Sequence, residues 1–543
     1  MDLSIGLVTL NAKFIHASLS LRYLRNAARN AGYRNVWLRE FAINEPVWKI
    51  AAEIRKQKPD VVGVGVYIWN RTQSFHLIEL LKKQNPSLSV AIGGPEVSFE
   101  TELSPQYTTI SGEGEKKWVD FLNYRARNEQ PPADVLQRWN AYGTDLPDLT
   151  PPYLEEDVPL LKDRIAYLET SRGCPYHCSF CLSSLDKTVR RFGDEAVRDQ
   201  IALLVRSGAK RIKFVDRTFN LQPKRMMDLM QWLTRFRETA FHFEVVGDIL
   251  NEELLEFLET VPEGLFQFEI GVQTATEDVQ ETIRRKQDNP RLFGAIERLV
   301  RANKVHVHAD LIFGLPGEGL EQAMRSFSRI LELRPHELQL GFLKFLPGAP
   351  IREVVKSHRY QFQSFPPYET ISNKDLTADE IIRLKNFAEV FDLFYNSKRF
   401  EFSIDRLLPR WNPIGLFDRL LKYMEDAGLF HAALSLDDQY RVFHDAFSLE
   451  TDPMALDLLK LDYLYHQRVY RLPRFLQKGP AEKSFKAWRG DGRTPLVPFQ
   501  HEIQLNGRRA SLVPAPQPVY YAVVHPANRS GYMTPPVLKK AED

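Results

Sequence analysis

Cys174-Pro175-Tyr176-His177-Cys178-Ser179-Phe180-Cys181 follows the apolar run Ile165-Ala166-Tyr167-Leu168-Glu169-Thr170, and these two segments decide how the rest of the chain is read. All three cysteines of the 543-residue sequence lie inside that short stretch. Thiolate sulfur is the soft ligand that iron–sulfur clusters need, and thiolates separated by three and then two residues can wrap one face of a four-iron cube. Three thiolates leave one iron without a protein sulfur, open to a small molecule. Zinc held by the cysteines and His177 is the alternative by composition, but its ligands would crowd into one loop instead of two separated pairs.

The apolar run before the cysteines is the first of six strand candidates, at 165–170, 211–215, 241–246, 265–272, 305–313 and 337–345. Helical segments such as 195–207 and 226–237 lie between them, so residues 164–351 are expected to form a parallel (β/α)6 barrel or partial barrel. In such barrels the active site lies at the carboxyl ends of the strands, where the cysteine loop falls. Upstream, strands at 4–10, 36–41, 61–67 and 89–92 alternate with helices at 19–31, 47–56 and 74–83, and Gly93-Gly94 ends the last strand. This is the pattern of a Rossmann-like open parallel sheet over residues 1–130, with ligands beyond the strand ends. Residues 131–163 carry Pro131, Pro132, Pro147, Pro151, Pro152 and Pro159 without a sustained period and read as a linker. From 352 to 543 the chain reads as mainly α-helical with a short β-like tail. Thr377-Ala378-Asp379-Glu380 is a capping box, Asp452-Pro453 opens another helix, and Asn506-Gly507 sits where a hairpin would turn. The fold class is therefore α/β followed by a helical appendix.

Composition excludes several classes. Lys and Arg number 72 against 70 Asp and Glu, a net charge of +2 that gives no strong nucleic-acid signal. Hydrophobic residues at 43% and charged residues at 26% are those of a globular chain. The few cysteines speak against a disulfide-stapled secreted protein. No window has the roughly 18 apolar residues of a membrane span, so a soluble, cytoplasmic protein is expected.

Given these residues, the chain resembles the radical S-adenosylmethionine (SAM) superfamily, whose cluster motif has three cysteines at this spacing and an aromatic residue before the last, here Phe180. Further segments match in order: 214–220 around Asp216, Glu269-Ile270-Gly271-Val272-Gln273-Thr274, 308–318 with Ile312 and Gly314, and 343–350 with Leu346. The resemblance implies a 4Fe-4S cluster on Cys174, Cys178 and Cys181, with SAM on its open iron. It implies SAM contacts from Phe180, Asp216, Glu269, Gln273, Ile312, Gly314 and Leu346. It also implies electron delivery by an external flavodoxin- or ferredoxin-like donor and cleavage of SAM to a 5′-deoxyadenosyl radical. His306 and His308 read as packed or rim residues on one face of a strand.

With that barrel downstream, the first region resembles the cobalamin-binding domain of the cobalamin-dependent radical SAM subfamily. The matched stretches end at Trp69, run through Gly93-Gly94-Pro95-Glu96, and cover 109–115, so the resemblance implies a corrin near Tyr67, Trp69, Asn70, Gly93, Gly94 and Glu113. An Asp-x-His-x-x-Gly sequence for an axial histidine is absent, and His16 reads as a structural or rim residue. Glu113-Gly114-Glu115 reads as a helix start with solvated charge. The last 190 or so residues resemble an uncharacterised domain found behind some proteins of this subfamily, and Trp411, Tyr463, Tyr465 and Tyr470 read as helix core there. The activity implied is methyl transfer to an unactivated carbon, using SAM, methylcobalamin and the deoxyadenosyl radical. A cobalamin-dependent rearrangement, cyclisation or oxidation is the enzymatic alternative, and a non-catalytic iron–sulfur sensor the other class. The substrate, a small molecule or peptide, is not written in the sequence, and no catalytic residue is assigned.

Overall fold

The structure is a computed structural model that describes residues 3–99, 104, 106–141, 151–431, 433–467, 472–477, 496–506, 509–524 and 537–540. It divides into two units: the first comprises 1–323, 333–336 and 340–378, and the second 324–332, 337–339 and 379–543.

The first unit begins with a parallel sheet of β1 (Ile5–Asn11), β2 (Val36–Ala42), β3 (Val61–Gly65), β4 (Ser89–Gly93) and β5 (Thr108–Ile110), in the order β2-β1-β3-β4-β5. Alternating apolar residues feed two cores, one per face, as a doubly wound sheet requires. Helices α1 (Leu19–Asn30) and α4 (Glu115–Ala126) cover one face through Leu21, Ala28, Trp118 and Phe121. Helices α2 (Val47–Lys56) and α3 (Arg71–Gln84) cover the other through Ile50, Ile54, Leu77 and Leu81. Ser18 caps α1 by accepting from the Leu21 N–H.

In its described parts, 131–141 and 151–163, the Pro-rich stretch read as a linker packs into the first unit. Pro132 precedes a helix, Ala133–Asn140, whose Val135 and Trp139 are buried in the α1–α4 core. Further on, Asp157 is almost fully buried and receives Arg25 through two 2.8 Å contacts, with Arg22 at 3.3 Å. An eight-residue helix between prolines is too short to leave a periodic signal, whereas three buried arginine–carboxylate contacts fix this segment through partners more than a hundred residues away.

The barrel follows as β6 (Ile165–Leu168), β7 (Arg211–Phe214), β8 (Ala240–Val245), β9 (Phe266–Gln273), β10 (Val305–Phe313) and β11 (Glu337–Phe342), neighbours in sequence order in one six-stranded sheet. The pairings from β6 to β10 are parallel. One face of these strands is apolar and fully buried, with Phe243 stacked on Phe214 and meeting Phe266 and Phe268 edge-on, and Phe241 tilted against Phe266. The other face carries Tyr167, Lys213, His242, Glu244, Glu269 and His308, brought side by side by the register. A closed barrel core is packed with branched apolar residues. Here the inward row is polar.

The second unit is helical, with a core in which the Phe327 ring lies 4.9 Å from Phe387 and 5.1 Å from Phe391. Asp462, fully enclosed, accepts from the N–H groups of Phe402 and Ser403 and from the Ser403 hydroxyl, capping the helix Glu401–Trp411. The expected tail is an antiparallel sheet of Leu496–Asn506, Arg509–Val524 and Val537–Lys540, tied to the helix Pro453–His466 by Asp457, which accepts from Gln500 N, His501 N and His501 Nδ1. Of the aromatic residues read as helix core, Tyr463 is buried, Trp411 and Tyr465 are half-buried, and Tyr470 lies outside the described residues. Among the described residues no helix is long and apolar enough to cross a membrane.

Candidate active site

The cysteine loop leaves the end of β6 and is closed at its neck by antiparallel pairing of Ser171 with Arg191 and Arg172 with Arg190. Gly173 makes the neck narrow. Its φ is +90°, and a Cβ there would lie 2.2 Å from the Thr188 carbonyl oxygen. The loop is then fastened inside: Cys174 N donates to Asp186 O at 2.8 Å, Ser179 N to Ile283 O at 2.9 Å, and Ile351 N to Ser179 O at 2.7 Å. Cys174 and Cys178 are buried, Cys181 is half-buried, and all three are free thiols. Burial pushes the Cys178 thiol up, and the neighbouring Cys181 and Cys174 add to this while the Arg285 guanidinium, 3.8 Å from its sulfur, opposes it. Three thiols gathered on one short loop, two of them buried and one beside a guanidinium, are a donor set that a cationic iron cluster would satisfy. His177 is exposed, unlike the buried Cys174 and Cys178, which counts against the zinc alternative.

Around this loop the expected SAM residues separate into groups. Phe180, Ile312 and Leu346 come together as half-buried side chains packed on Val279, Leu315, Leu343 and Phe345. Gln273 ends β9 with φ +70°, an uncommon conformation for a residue with a side chain, and its Oε1 is buried with no hydrogen-bond partner among the described residues. Gly314 follows β10 with φ +85°, and its carbonyl accepts from the Tyr360 hydroxyl at 2.8 Å. Glu269 accepts from His242 Nε2 at 2.9 Å, a hydrogen bond that holds its carboxyl down to about 2. Asp216 is different. It is 1% exposed and accepts from Thr170 N, Thr170 Oγ1 and Ser171 Oγ at 2.6–2.8 Å, so it pins the start of the cysteine loop and is not turned towards a ligand.

A cavity of about 440 Å³ lies where the carboxyl edge of the first sheet meets this loop. Its walls on the sheet side are Gly63, Gly65, Tyr67, Gly93, Gly94 and Gly112; on the loop side they include Arg172, Gly173, Leu182, Ser183 and Asp186. The floor is bare backbone. Gly94 has φ +119°, and a Cβ there would stand 2.3 Å from the Val66 carbonyl oxygen, so a side chain is excluded by strain and by space. Flat, glycine-lined strand ends beside apolar Leu21, Leu24 and Ile92 suit a broad planar group such as a corrin. Of the residues expected on this edge, Tyr67, Gly93, Gly94 and Glu113 line the cavity. Trp69 and Asn70 are not among the lining residues. Trp69 stacks on Tyr67 and donates to Leu10 O at 3.1 Å. The fully buried Asn70 is committed to Tyr67 N, Leu10 O and Gly65 O, holding the loop after β3.

Glu113 and Glu115 are not solvated, which corrects the reading of their charge. Arg190 grips both oxygens of Glu113 at 2.7 and 3.0 Å and reaches Asp186 at 2.5 Å. Arg172 joins Glu115 at 2.8 Å, Glu169 at 2.8 Å and, more loosely, Glu113 at 3.7 Å. Burial pushes the Glu169 carboxyl up, and Arg172 opposes it. The two arginines of the cysteine-loop neck thus clamp the acidic start of α4. Arg172, Arg190 and Arg285 were missed in the sequence; their only local signal is position beside the cysteines or, for Arg285, within Arg284-Arg285-Lys286. His16, read as structural, accepts or donates at Nδ1 to the Tyr167 hydroxyl at 2.7 Å.

Three family models match the chain in series: a B12 binding domain over residues 5–122, the Radical SAM superfamily over 168–330, and a protein of unknown function, DUF4080, over 356–490. Among curated proteins, the chain is 26% identical over 370 residues to the cobalamin-dependent radical SAM methyltransferase TokK of Streptomyces tokunonensis, covering 62% of this chain and 53% of that protein. It is 27% identical to the uncharacterised methyltransferase PH0819 of Pyrococcus horikoshii, covering 62% of this chain and 77% of the relative. The chain thus spans about half the length of TokK. Among solved structures, the cobalamin-dependent SAM radical enzyme OxsB with aqua-cobalamin and SAM bound is similar at a TM-score of 0.57 and 16% identity, covering 86% of this chain and 73% of that one. The TsrM methyltransferase of Kitasatospora setae with cobalamin and a [4Fe-4S] cluster bound gives 0.52 and 17% identity, covering 67% and 78%.

Proposed function

We propose that this chain, which joins a B12-binding domain to a radical SAM domain and carries a domain of unknown function behind them, is a cobalamin-dependent radical SAM methyltransferase acting in the cytoplasm. The observation that carries the reading is the single cavity bounded both by the glycine-lined edge of the first sheet and by the cysteine loop. Next to it, on the loop that forms one of its walls through Gly173, Leu182 and Ser183, Cys174, Cys178 and Cys181 would hold the cluster. Phe180, Ile312 and Leu346 would flank SAM, with the unpartnered Gln273 Oε1 as an acceptor for one of its donors. Tyr67, Gly93, Gly94 and Glu113 would border the corrin. When bound, these groups supply one-electron cleavage of SAM and a methyl carrier, chemistry that protein side chains lack.

The chain's own residues bind, orient and exclude water. Arg285 places positive charge at the Cys178 sulfur, which favours its thiolate. Arg172 and Arg190 hold the cysteine loop against α4, so the distance between the two halves of the cavity is set by ion pairs within one unit. The loop interior is tied down by backbone hydrogen bonds at both ends, which keeps solvent from the buried thiols. A flavodoxin- or ferredoxin-like protein would supply electrons.

The test is anaerobic reconstitution with iron, sulfide and cobalamin, followed by quantification of 5′-deoxyadenosine, S-adenosylhomocysteine and methylated product. Deoxyadenosine without S-adenosylhomocysteine would move the reading to a rearrangement, cyclisation or oxidation with the same cofactors.

A further inference from the structure

The polar row inside the barrel contains a cation that the fold does not use. Lys213, in the middle of β7, pairs across the sheet with Tyr167 on β6 and His242 on β8, so its side chain shares their face while Ile212 and Phe214 are buried on the other. It is half-buried and makes no hydrogen bond or ion pair among the described residues. Its charge is felt by the groups around it: after burial, it depresses the basicity of His16 and His242, contributes to lowering the carboxyl of Glu269, and partly opposes the rise of the Glu244 carboxyl. Glu269 is already held by His242. Glu244 has only a loose contact, 3.9 Å, with the more exposed Arg217. Burial, with Arg217 opposing, brings its carboxyl up to about 7, so it can accept or donate.

A half-buried lysine left without an internal partner on a polar strand face is a ready site for a ligand's anion. The geometry points to Lys213 as the anchor for an anionic group of the substrate, a carboxylate or phosphate, with Glu244 on the neighbouring strand taking a nearby N–H or O–H donor. The substrate class is therefore an acid, carrying a carboxylate or phosphate near an N–H or O–H donor. The inference rests on the radical SAM reading of the same barrel, and it names the substrate group that the polar strand face recognises.

Fluorine NMR of the full-length chain, reconstituted with its cluster and saturated with SAM, tests it with three probes: para-fluorophenylalanine, its carboxamide, and para-fluorophenyl phosphate. At least one anionic probe should show saturable line broadening that the carboxamide lacks. Lys213→Met should weaken that binding about tenfold or more, while Lys213→Arg retains it. A phenylalanine-only response assigns a carboxylate, and a phosphate-only response a phosphate. If neither anion is preferred over the carboxamide, or if Lys213→Met leaves the anion bound as before, the proposal is overturned. The same samples report on the underlying reading through cluster absorbance and deoxyadenosine formation. Loss of those with lysine-dependent anion binding intact overturns the radical reading alone; their presence without anion preference overturns this site alone.

Discussion

Replacing Arg172 with methionine removes the cation shared by Glu169 and Glu115, both about nine-tenths buried. Arg190 does not replace it, being engaged by Glu113 and Asp186. Breaking a buried ion pair on one side typically costs about 3–5 kcal/mol, because the carboxylates stay buried without compensation. The sign of the pH dependence is fixed as well. The Glu169 carboxyl already sits above its ordinary range through burial, with Arg172 as the main opposing influence. Without Arg172 the ionised form is disfavoured further, so the deficit is full above the raised pKa and shrinks as falling pH protonates the group. Urea unfolding followed by near-ultraviolet circular dichroism at several pH values measures this, with Arg172→Lys as the variant that keeps the charge and loses the guanidinium fork. The lysine variant should lose about half as much. A deficit for Arg172→Met below about 1 kcal/mol, or one independent of pH, would refute the role given to this clamp.

Other expectations follow from single contacts. Gly94→Ala places a Cβ against the Val66 carbonyl at an unfavourable φ, costing about 1–3 kcal/mol, and should abolish retention of cobalamin on gel filtration. Asp462→Ala orphans two N–H groups and a hydroxyl in the second unit and should destabilise it by about 3 kcal/mol or more in thermal melts, with the cluster spectrum unchanged. Glu269, held down to about 2, contributes stability that is complete above its ordinary 4.5 and is lost as pH falls towards 2. His242→Phe should flatten that acid dependence.

What was legible in the sequence was local. The cysteine spacing, the alternation of strands and helices, and the glycines that end β4 and follow β10 are local features of the sequence, each written within a few residues. What was not legible needed partners far along the chain. Arg172 meets Glu115 across 57 residues, so the acidic start of α4 looked solvated when it is clamped. Asn70 and Asp216 show a second limit. A polar residue at a strand end can face a ligand or satisfy the backbone beside it, and only the structure reveals that both do the latter. The helix at 133–140 was hidden by its shortness and its flanking prolines, although Trp139 belongs to the core.

The central claim is that one cavity joins two cofactors for methyl transfer. It is tested most directly by incubating the anaerobically reconstituted chain with SAM and a reductant, with and without cobalamin, and quantifying both SAM-derived products. The account predicts 5′-deoxyadenosine and S-adenosylhomocysteine together, the latter only when cobalamin is present, and neither from a Cys181→Ala variant. Deoxyadenosine alone, at a rate indifferent to cobalamin, or any product surviving loss of the cluster, would contradict it.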